Sequence, residues 1–357
     1  MKRAARPTQH DIARAAGVSP AVVSLVINGR ANGKIKISKA TQERVWTAIR
    51  EQGYVPNLAA RQLAGGHTNI IGVFTYESIF PMRPSSFYHP FLVGIEEQAE
   101  ASGYNLLLFT RSAADGQRRI YRDGANQLLA TEGAILLGTN EDRAELDRLY
   151  REQFPFVFVG RREIDEGPVA YTAADYAGAT EDLVRTLLDR GHRHILYLGN
   201  PLLNESAIDR ERGFLDAMTA AGVEDPGRLM HRFDLHTIDA ARLRGWLAEG
   251  VTALAVAQMP AALHIRAVAE ADGLRVPGDL SLVALGKADD PTVDHQGIDT
   301  FLIPHREMGA QAVSLLARML TEPDAAFSRQ ITIPCTPASG RTIGPPPDTH
   351  PSGKEVA

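Results

Sequence analysis

Short apolar runs alternate with longer amphipathic stretches along most of this 357-residue chain, from about residue 69 onwards. Apolar runs of about 4–8 residues that are rich in Val, Ile, Leu and Phe are typical of buried strands. The predicted strands are 69–75, 104–110, 133–137, 155–159, 194–198, 251–257 and 280–285, and the predicted helices between them are 91–102, 141–153, 176–190, 206–221 and 261–272. This alternation predicts an α/β fold in which helices cover parallel sheets, arranged as two doubly wound lobes.

The N-terminal segment carries helix signals only. Thr8 is an N-cap candidate, and Asp11 three residues later comes close to a capping box, with its carboxylate at the favourable end of the helix dipole. Gly17 supplies the left-handed conformation that a tight turn needs. These signals predict a short first helix that ends in a glycine turn.

A second short helix follows at once. Ser19 caps it, and Pro20 occupies its first position, where the missing N–H costs nothing. Its apolar stripe is formed by Val23, Val26 and Ile27. Two short helices joined by a tight turn have the geometry of a helix-turn-helix motif, in which the second helix enters the major groove of DNA.

A third helix completes this small domain. Ser38 caps it, Val45 and Ile49 would close a three-helix core, and Gly53 ends it. Residues 53–63 then run Gly-Tyr-Val-Pro-Asn-Leu-Ala-Ala-Arg-Gln-Leu.

Two motifs in this order carry a family resemblance. Residues 11–29 fit D-I-A-x-x-A-G-V-S-x-x-x-V-S-x-V-I-N-G, and residues 53–63 fit G-Y-x-P-N-x-x-A-R-x-L. The chain thus resembles the LacI/GalR (lactose repressor) family of bacterial transcription regulators over nearly its whole length. The resemblance implies a helix-turn-helix head, a hinge helix and a two-lobed effector domain like a periplasmic sugar-binding protein. The implied segments are a head at 1–56, a hinge helix at 57–66, a two-lobed effector and dimerisation domain at 67–344 with crossovers near 160–175, 285–300 and 325–330, and a Pro-rich disordered tail at 345–357.

The resemblance also implies which residues contact DNA. The expected set is Thr8, Ser19, Pro20, Ala21, Ser24, Leu25, Asn28, Asn57, Ala60, Arg61 and Leu63. Many relatives have a polar or basic residue where this chain has Leu25. Leucine cannot make the bidentate guanine contact of arginine, so we expect readout by shape or by a thymine methyl group at that base. The basic loop residues Arg30, Lys34 and Lys36 would either contact phosphates or stay solvated.

The predicted hinge helix is too short to be stable alone. It spans about eight residues, fewer than the ~12–15 that an isolated helix needs in water. We expect it to form only against DNA and its dimer mate, with Leu63 as an apolar wedge in the minor groove. A ligand that shifts the two bodies would act through this segment, and a coupling of ~1–3 kcal/mol suffices for control.

The effector cleft is less clear from the sequence. The expected effector-facing residues are Tyr76, Tyr88, Arg161, Tyr171, Arg210, Gln258 and Lys287. An arginine fork suits vicinal hydroxyls or a carboxylate, although Arg210 would alternatively pair with a neighbouring acid. The tyrosines would stack on a sugar or base ring, or pack in the core.

Three positions depart from the family pattern. Relatives show Asp at Gly160, Asn-Asp at residues 258–259, and a Gly-Phe/Tyr-Asp-Asp motif at residues 284–287, where this chain has Ala-Leu-Gly-Lys. The missing acids argue against an ordinary monosaccharide. Lys287 and the arginines favour an anionic ligand instead, and a degenerate cleft is the remaining alternative.

Charge supports a division of labour. The chain has 38 Lys/Arg and 43 Asp/Glu, a net charge of −5. Residues 1–66 hold eleven basic and three acidic residues, a net charge of +8, which leaves −13 for the remainder. A basic head on an acidic body is typical of a phosphate-binding module attached to a soluble domain.

Several other classes of protein are not supported. The phosphate-loop, dinucleotide-fold and zinc-protease motifs do not occur, and His192 with His194 has too few companions for a metal site. We therefore expect no enzyme activity, cofactor or metal. One cysteine, Cys335, excludes an internal disulfide and fits a reducing compartment. No export signal or apolar span of ~20 residues is evident, so we expect a cytoplasmic protein with no membrane partner.

The sequence thus predicts an effector-controlled transcription regulator that binds a near-palindromic operator as a homodimer or tetramer. The leading hypothesis is a repressor of carbohydrate uptake or catabolism genes, released by a sugar or sugar derivative. The alternative is a corepressor-type or ligand-independent regulator with an anionic or nucleobase-like effector. A solute-binding transport protein is the rival from another class, and the head argues against it.

Overall fold

A computed structural model describes residues 7–27, 36–54, 67–77, 87–112, 116–139, 141–201, 203–288 and 296–347. The chain divides into two compact units, a head at Met1–Ile70 and a body at Ile71–Ala357. The helices of the head are α1 Gln9–Ala16, α2 Pro20–Ile27 and α3 Lys39–Gln52.

The head has one apolar core. Ile12 of α1, Val23 of α2 and Val45 of α3 are completely buried and meet one another through the smaller side chains Ala13 and Ala48. Each helix contributes apolar residues at helical spacing, and its polar residues face outward. The three predicted helices are therefore confirmed.

The body contains fifteen strands, seven α-helices and three short 3-10 helices among the described residues. The strands are β1 Ile70–Thr75, β2 Asn105–Phe109, β3 Tyr121–Arg122, β4 Ala125–Asn126, β5 Gly133–Leu137, β6 Phe156–Val159, β7 Tyr171–Ala174, β8 Ile195–Gly199, β9 Met230–Arg232, β10 Ala253–Val256, β11 Ser281–Ala284, β12 Lys287–Ala288, β13 Thr300–Ile303, β14 Gln330–Ile333 and β15 Thr336–Ala338. The helices are α4 His89–Ala101, α5 Arg143–Arg151, α6 Tyr176–Asp189, α7 Glu205–Ala220, α8 Ala240–Ala248, α9 Met259–Ala271 and α10 His305–Thr321.

The first lobe is built on a six-stranded sheet of order β14-β7-β6-β5-β1-β2. The pairs β1–β5, β5–β6, β6–β7 and β7–β14 are parallel. Every residue of β5 and β6 is buried, as expected of central strands covered on both faces. Helices α4 and α10 cross in direct backbone contact because each has a glycine at the crossing. A Cβ atom on Gly94 would collide with Arg306 O of α10, and one on Gly309 would collide with Phe91 O of α4.

The second lobe is built on a four-stranded parallel sheet of order β11-β10-β8-β9. A three-stranded sheet, β12-β13-β15, lies beside it, and an isolated bridge between Val283 and Asp299 links the two sheets. Two doubly wound lobes and a separate helical head confirm the predicted fold class.

The order of strands shows where the chain passes between lobes. It leaves the six-stranded sheet after β7, returns at α10, and leaves again after β14. The last passage follows Ile333 and so comes later than the predicted 325–330, because β14 first adds to the sheet beside β7. Helices α8 and α10 and strands β7 and β13 lie in stretches for which the sequence made no prediction.

No single helix of the described residues is long and apolar enough to cross a membrane. Helices α1 and α2 meet the length and composition criteria only together, as a pair bent by 103°.

Candidate functional sites

Helix α2 presents one face to the core of the head and the other outward. Val23, Val26 and Ile27 are buried, whereas Ala21 is exposed and Leu25 is half-buried. The axes of α1 and α2 diverge by 103°, within the range of helix-turn-helix motifs. The predicted base-contacting residues therefore lie on the outer face, as a reading helix requires.

Local hydrogen bonds fix the start of α1. The Asp11 amide donates to Thr8 Oγ1 at 3.4 Å, and the Thr8 amide donates to Asp11 Oδ2 at 2.9 Å, which completes the capping box. The Thr8 hydroxyl also donates to Asp11 Oδ2, at 2.7 Å, and this bond, together with that from the Thr8 amide, lowers the pKa of Asp11. Gly17 ends the helix at φ 63°, in the left-handed region that favours glycine.

The start of α2 is fixed in a similar way. The Val22 amide donates to Ser19 Oγ at 3.4 Å, so the exposed Ser19 acts as the predicted cap, and Pro20 begins the helix. Five predicted DNA contacts lie outside the described residues: Asn28, Asn57, Ala60, Arg61 and Leu63. The predicted hinge helix lies outside them too.

A cavity of about 530 Å³ lies along the cleft. Its walls bring together Arg210 of α7, Gln258 before α9 and Lys287 of β12, three of the predicted effector-facing residues. They come from three separate segments of the second lobe. Cavities of ~300–1,000 Å³ that combine apolar walls with a few polar groups are typical ligand sites.

Arg210 is held in place by backbone groups and an aromatic ring. Its Nε donates to Leu285 O at 2.6 Å, its Nη1 donates to Ser206 O at 2.9 Å, and its guanidinium lies 4.0 Å from the centre of the Tyr176 ring. Among the described residues, no carboxylate lies within ion-pair distance of Arg210. The alternative of a surface ion pair with a neighbouring acid is thus not what the structure shows, and part of the fork faces the cavity.

A second, smaller cavity of about 60 Å³ adjoins the first and includes Tyr88 and Arg161 in its wall. Tyr88 is buried, and its hydroxyl donates to Glu77 Oε2. Burial and this hydrogen bond raise the pKa of Tyr88. Glu77 also accepts from the Thr139 amide and hydroxyl at 3.0 Å each. Tyr88 is therefore a fixed wall residue and not a ring free to stack.

Arg161 is committed to an ion pair across the lobes. Its Nε and Nη2 donate to the two carboxylate oxygens of Asp209 on α7, at 3.1 and 3.0 Å. Burial works to lower the pKa of Arg161, but the hydrogen bond with Asp209 and the charges of Asp209, Glu163 and Glu205 raise it overall. Tyr171 lies on the far side of this pair, in a polar cavity of about 180 Å³.

Arg162 forms a second link between the lobes, deeper than the first. Its side chain is 7% exposed and lies between Glu141, at 2.9 Å, and Glu205 of α7, at 3.4 Å. It also donates to Gly138 O at 2.5 Å. Arg143 reaches Glu205 from the other side at 2.8 Å. Arginines of the first lobe thus hold two buried carboxylates at the start of α7.

Gly160 explains one departure from the family pattern. It has φ 109°, and a Cβ atom there would come within 3.2 Å of Arg162 Nη1. A side chain at this position would be strained and would press on the arginine. The backbone conformation and the neighbouring Arg162 thus give a steric reason for glycine at residue 160.

Tyr76 does not take the predicted position. It is 8% exposed and packs edge-to-face on Phe74, with ring centres 5.0 Å apart, in the apolar core of the first lobe. It does not line either cleft cavity described above. The residue follows a buried strand directly, and the sheet draws it into the core instead of the cleft.

Two cavity residues were missed at the sequence level. Tyr197 of β8 and His305 at the start of α10 both line the 530 Å³ cavity and are almost completely buried. Tyr197 lies in an apolar strand, where a core role is the natural interpretation. Only the Pro-His step that begins α10 marks His305. Within the described ranges, His, Cys, Asp and Glu side chains form no metal-binding group.

Comparison with known proteins gives a consistent result. Residues 8–57 match the family model described as bacterial regulatory proteins, lacI family, and residues 184–343 match that of a periplasmic binding protein-like domain. The chain is 30% identical to the HTH-type transcriptional regulator CelR of Thermobifida fusca, over 90% of this chain and 94% of that protein.

Two solved structures share the fold. One is described as a transcriptional regulator CelR–cellobiose complex, with a TM-score of 0.61 and 25% identity, covering 94% of this chain and 100% of that one. The other is the lac repressor dimer bound to operator and the anti-inducer ONPF, with a TM-score of 0.64 and 22% identity, covering 95% of this chain and 100% of that one.

Proposed function

Because the chain belongs to the lacI family of bacterial regulatory proteins, we propose that it is a sequence-specific DNA-binding regulator that represses carbohydrate uptake or catabolism genes. A small molecule bound between the two lobes would control it. The observation that carries the proposal is α2, whose outer face holds Ala21, Ser24 and Leu25 while its inner face is buried. Such a regulator acts on the chromosome, so we place it in the cytoplasm and propose no enzymatic reaction.

DNA binding would use two copies of the chain. A near-palindromic operator has two half-sites, and each head of a homodimer would place its α2 in one major groove. The proposed segments are a head at 1–56, a hinge helix at 57–66 that contacts the minor groove, and a body at 67–344. A tetramer would bring two such dimers together.

The effector is proposed to be a sugar or sugar derivative in the 530 Å³ cavity. The cavity size, the inward-facing Arg210 and the neutral amide of Gln258 support this class. The similarity to a regulator solved with cellobiose supports it as well. The alternative is a corepressor-type or ligand-independent regulator with an anionic or nucleobase-like effector. Lys287, which stands where the family pattern has an acid, supports it.

Selection of DNA sites from a random library tests the DNA-binding part. We expect one enriched, near-palindromic sequence, bound with an affinity that falls steeply as salt rises, because phosphate contacts release counterions. Absence of an enriched sequence, or an affinity that does not change with salt, would contradict the proposal.

A second measurement decides the sign of effector action. Purified protein on the selected operator would be titrated with neutral sugars, sugar acids and nucleobases. Release of DNA by a sugar supports the repressor proposal. Tighter DNA binding supports the corepressor alternative, and no effect from any compound supports a ligand-independent regulator.

A further inference from the structure

Charged side chains of the two lobes meet beside the small cavity. Arg143 of α5 and the consecutive Arg161 and Arg162 after β6 come from the first lobe. Glu205 and Asp209 lie on the first two turns of α7, in the second lobe. Each of the three arginines pairs with one of the two carboxylates across the boundary between the lobes. We call these five residues the latch.

The latch contains one bidentate contact and two single contacts. Arg161 donates to both carboxylate oxygens of Asp209, at 3.1 and 3.0 Å, in the geometry that makes arginine–carboxylate pairs strong. Arg143 Nη2 donates to Glu205 Oε1 at 2.8 Å, and Arg162 Nη1 lies 3.4 Å from Glu205 Oε2. Both carboxylates of α7 therefore have each oxygen directed at an arginine of the other lobe.

The second lobe supplies little charge compensation of its own. The side chains of Glu205 and Asp209 are 3% and 7% exposed. Among the described residues, Glu205 pairs with no basic residue of the second lobe, and Asp209 pairs there only with Arg212, which lies 3.2 Å away and is largely exposed. The two carboxylates thus depend on the first lobe for most of their ionic partners.

The first lobe, in contrast, holds two of its arginines in place by itself. Arg162 pairs with Glu141 at 2.9 Å and donates to Gly138 O, and Arg161 pairs with Glu163. Side chains that are already fixed lose less rotamer freedom when they form a further contact. These arginines are therefore pre-organised to receive the carboxylates of α7.

The latch also borders groups that face the 530 Å³ cavity. Arg210, which lines this cavity, directly follows Asp209 on α7, and Ser206, which lines it as well, directly follows Glu205. The same two helical turns thus carry the latch carboxylates and cavity-lining groups. The contacts of the latch therefore set the position of these cavity-lining groups relative to the first lobe.

We propose that the latch keeps the two lobes closed when no effector is bound, so that a closed cleft is the resting state of the body. This goes beyond the proposed function, because it concerns the protein without DNA or ligand. Its regulatory consequence rests on the effector control proposed above: an effector would act on lobes that are already closed.

Distances between spin labels test the proposal directly. Glu96→Cys on α4 and Asp216→Cys on α7 place one nitroxide at an exposed position of each lobe. The full-length chain would also carry Cys335→Ser, so that no other thiol reacts. Dilution with unlabelled protein limits the signal to distances within one chain. For the ligand-free protein with an intact latch we expect one distance, with any longer distance below about 10% of the chains.

Removal of the carboxylates should open the lobes. Glu205→Ala with Asp209→Ala deletes three charge-assisted hydrogen bonds, while alanine is a good helix former. Each such bond is worth roughly tenfold or more in the ratio of open to closed chains, so the longer distance should become the major one. Asp209→Ala alone deletes two of these bonds and should give a mixture of both distances. It decides the question if the double variant does not unfold cooperatively.

Glu211→Ala is the matched control. Glu211 lies on the same helix, its side chain is 9% exposed, and it forms a bidentate pair with Arg232 of β9, at 2.6 Å for each contact, within the second lobe. Its replacement removes the same kind of contact without touching the latch. The labels should therefore report the same single distance as in the protein with an intact latch.

Three results would overturn the proposal. They are a major longer distance in the protein with an intact latch, an unchanged single distance in the folded latch variants, and an equal opening in Glu211→Ala, which would indicate a general loosening of α7. Each would leave selective operator binding by the unmodified protein intact, because the label distances are measured without DNA. Failure of operator selection, in turn, would overturn the proposed function and leave the label distances unchanged.

Discussion

The hydrogen bonds that fix the reading helix of the head and those that fix the cleft of the body span very different numbers of residues along the chain. Around α1 and α2, the capping hydrogen bonds join residues three positions apart, such as Thr8 with Asp11. In the cleft, Arg161 bonds to Asp209 across 48 positions and Arg210 bonds to Leu285 across 75 positions. The outer residues Ala21, Ser24 and Leu25 of α2 do not belong to the apolar core of the head.

In the cleft, buried charged groups join the two lobes beside the cavities. Arg162 and Glu205 are buried and charged, so replacing either one removes an ionic partner from a buried charge on the other side of the cleft. We therefore expect DNA specificity to change at α2 without loss of the fold, whereas a change of effector specificity must also preserve the links between the lobes.

The largest effect is expected at the buried link between the lobes. Arg162→Met would leave Glu141 buried without its cation and Glu205 with Arg143 alone, which should lower the free energy of unfolding by about 3–5 kcal/mol. Urea unfolding of the body measures it. The matched control is Arg306→Met, which removes an exposed bidentate pair with Glu97 and should cost under about 1 kcal/mol. Equal losses of unfolding free energy in the two variants would contradict the expectation that the buried ion pairs stabilise the fold more than the exposed one.

A change at α2 should alter specificity without altering stability. Leu25→Arg supplies a guanine-binding fork, so we expect a new preference for guanine at one base of each half-site, of about 1–3 kcal/mol. Stability should change by less than about 0.5 kcal/mol. Site selection and thermal unfolding measure the two effects. Gln52→Arg adds the same charge at the exposed end of α3 and should tighten all sequences alike. An unchanged sequence profile for Leu25→Arg would contradict the assignment of α2 as the reader.

The third prediction concerns pH. The pKa of His305 is lowered to about 3 in the folded protein from 6.5, so the unfolded chain binds more protons between these values. The stability that the neutral His305 contributes to the fold is present above pH 6.5. It is lost as the pH falls toward 3, by up to about 1.4 kcal/mol per pH unit. The protein should therefore lose more stability between pH 7 and 5 than His305→Phe does. Parallel profiles of stability against pH for the two proteins would mean that the His305 imidazole is solvated. His192 is present in both proteins and so does not affect the difference between them.

The smallest effect is expected at the first helix cap. Thr8→Ala removes the oxygen that accepts from the Asp11 amide, which should destabilise α1 by about 1 kcal/mol. Hydrogen exchange of the α1 amides would then speed up by roughly fivefold, while amides of the body remain unchanged. Thr8→Ser keeps an oxygen at that position and should restore the slow exchange. Equal exchange rates in all three proteins would show that the cap does not hold the helix.

Local features of the chain were sufficient for the head. Thr8, Gly17, Ser19 and Pro20 act within one helical turn of their own positions, so their roles follow from residue type and spacing. The buried strands of both lobes were predicted for a related reason, since runs such as 133–137 are apolar throughout. Strand β7 was missed, because its Tyr-Thr-Ala-Ala sequence is buried by neighbouring strands and not by its own composition.

The cleft shows what spacing cannot supply. Arg161 and Arg210 look alike in the sequence. In the structure, Arg161 is paired with Asp209, whereas Arg210 faces the cavity. Tyr76 and Tyr88 were predicted together, but one packs in the core and the other is bonded to Glu77. Tyr197 and His305 gave little signal because burial, not residue pattern, makes them candidates.

The sequence by itself determined the family, the α/β class of the body, the three-helix head and the outward face of α2, because each depends on short-range periodicity, capping and turn chemistry. Which arginine meets which carboxylate, and which tyrosine or histidine is left with an unmet polar atom in the interior, was decided only by the tertiary structure. Those outcomes depend on strands and helices from separate parts of the chain meeting at one place. No short-range pattern encodes such a meeting.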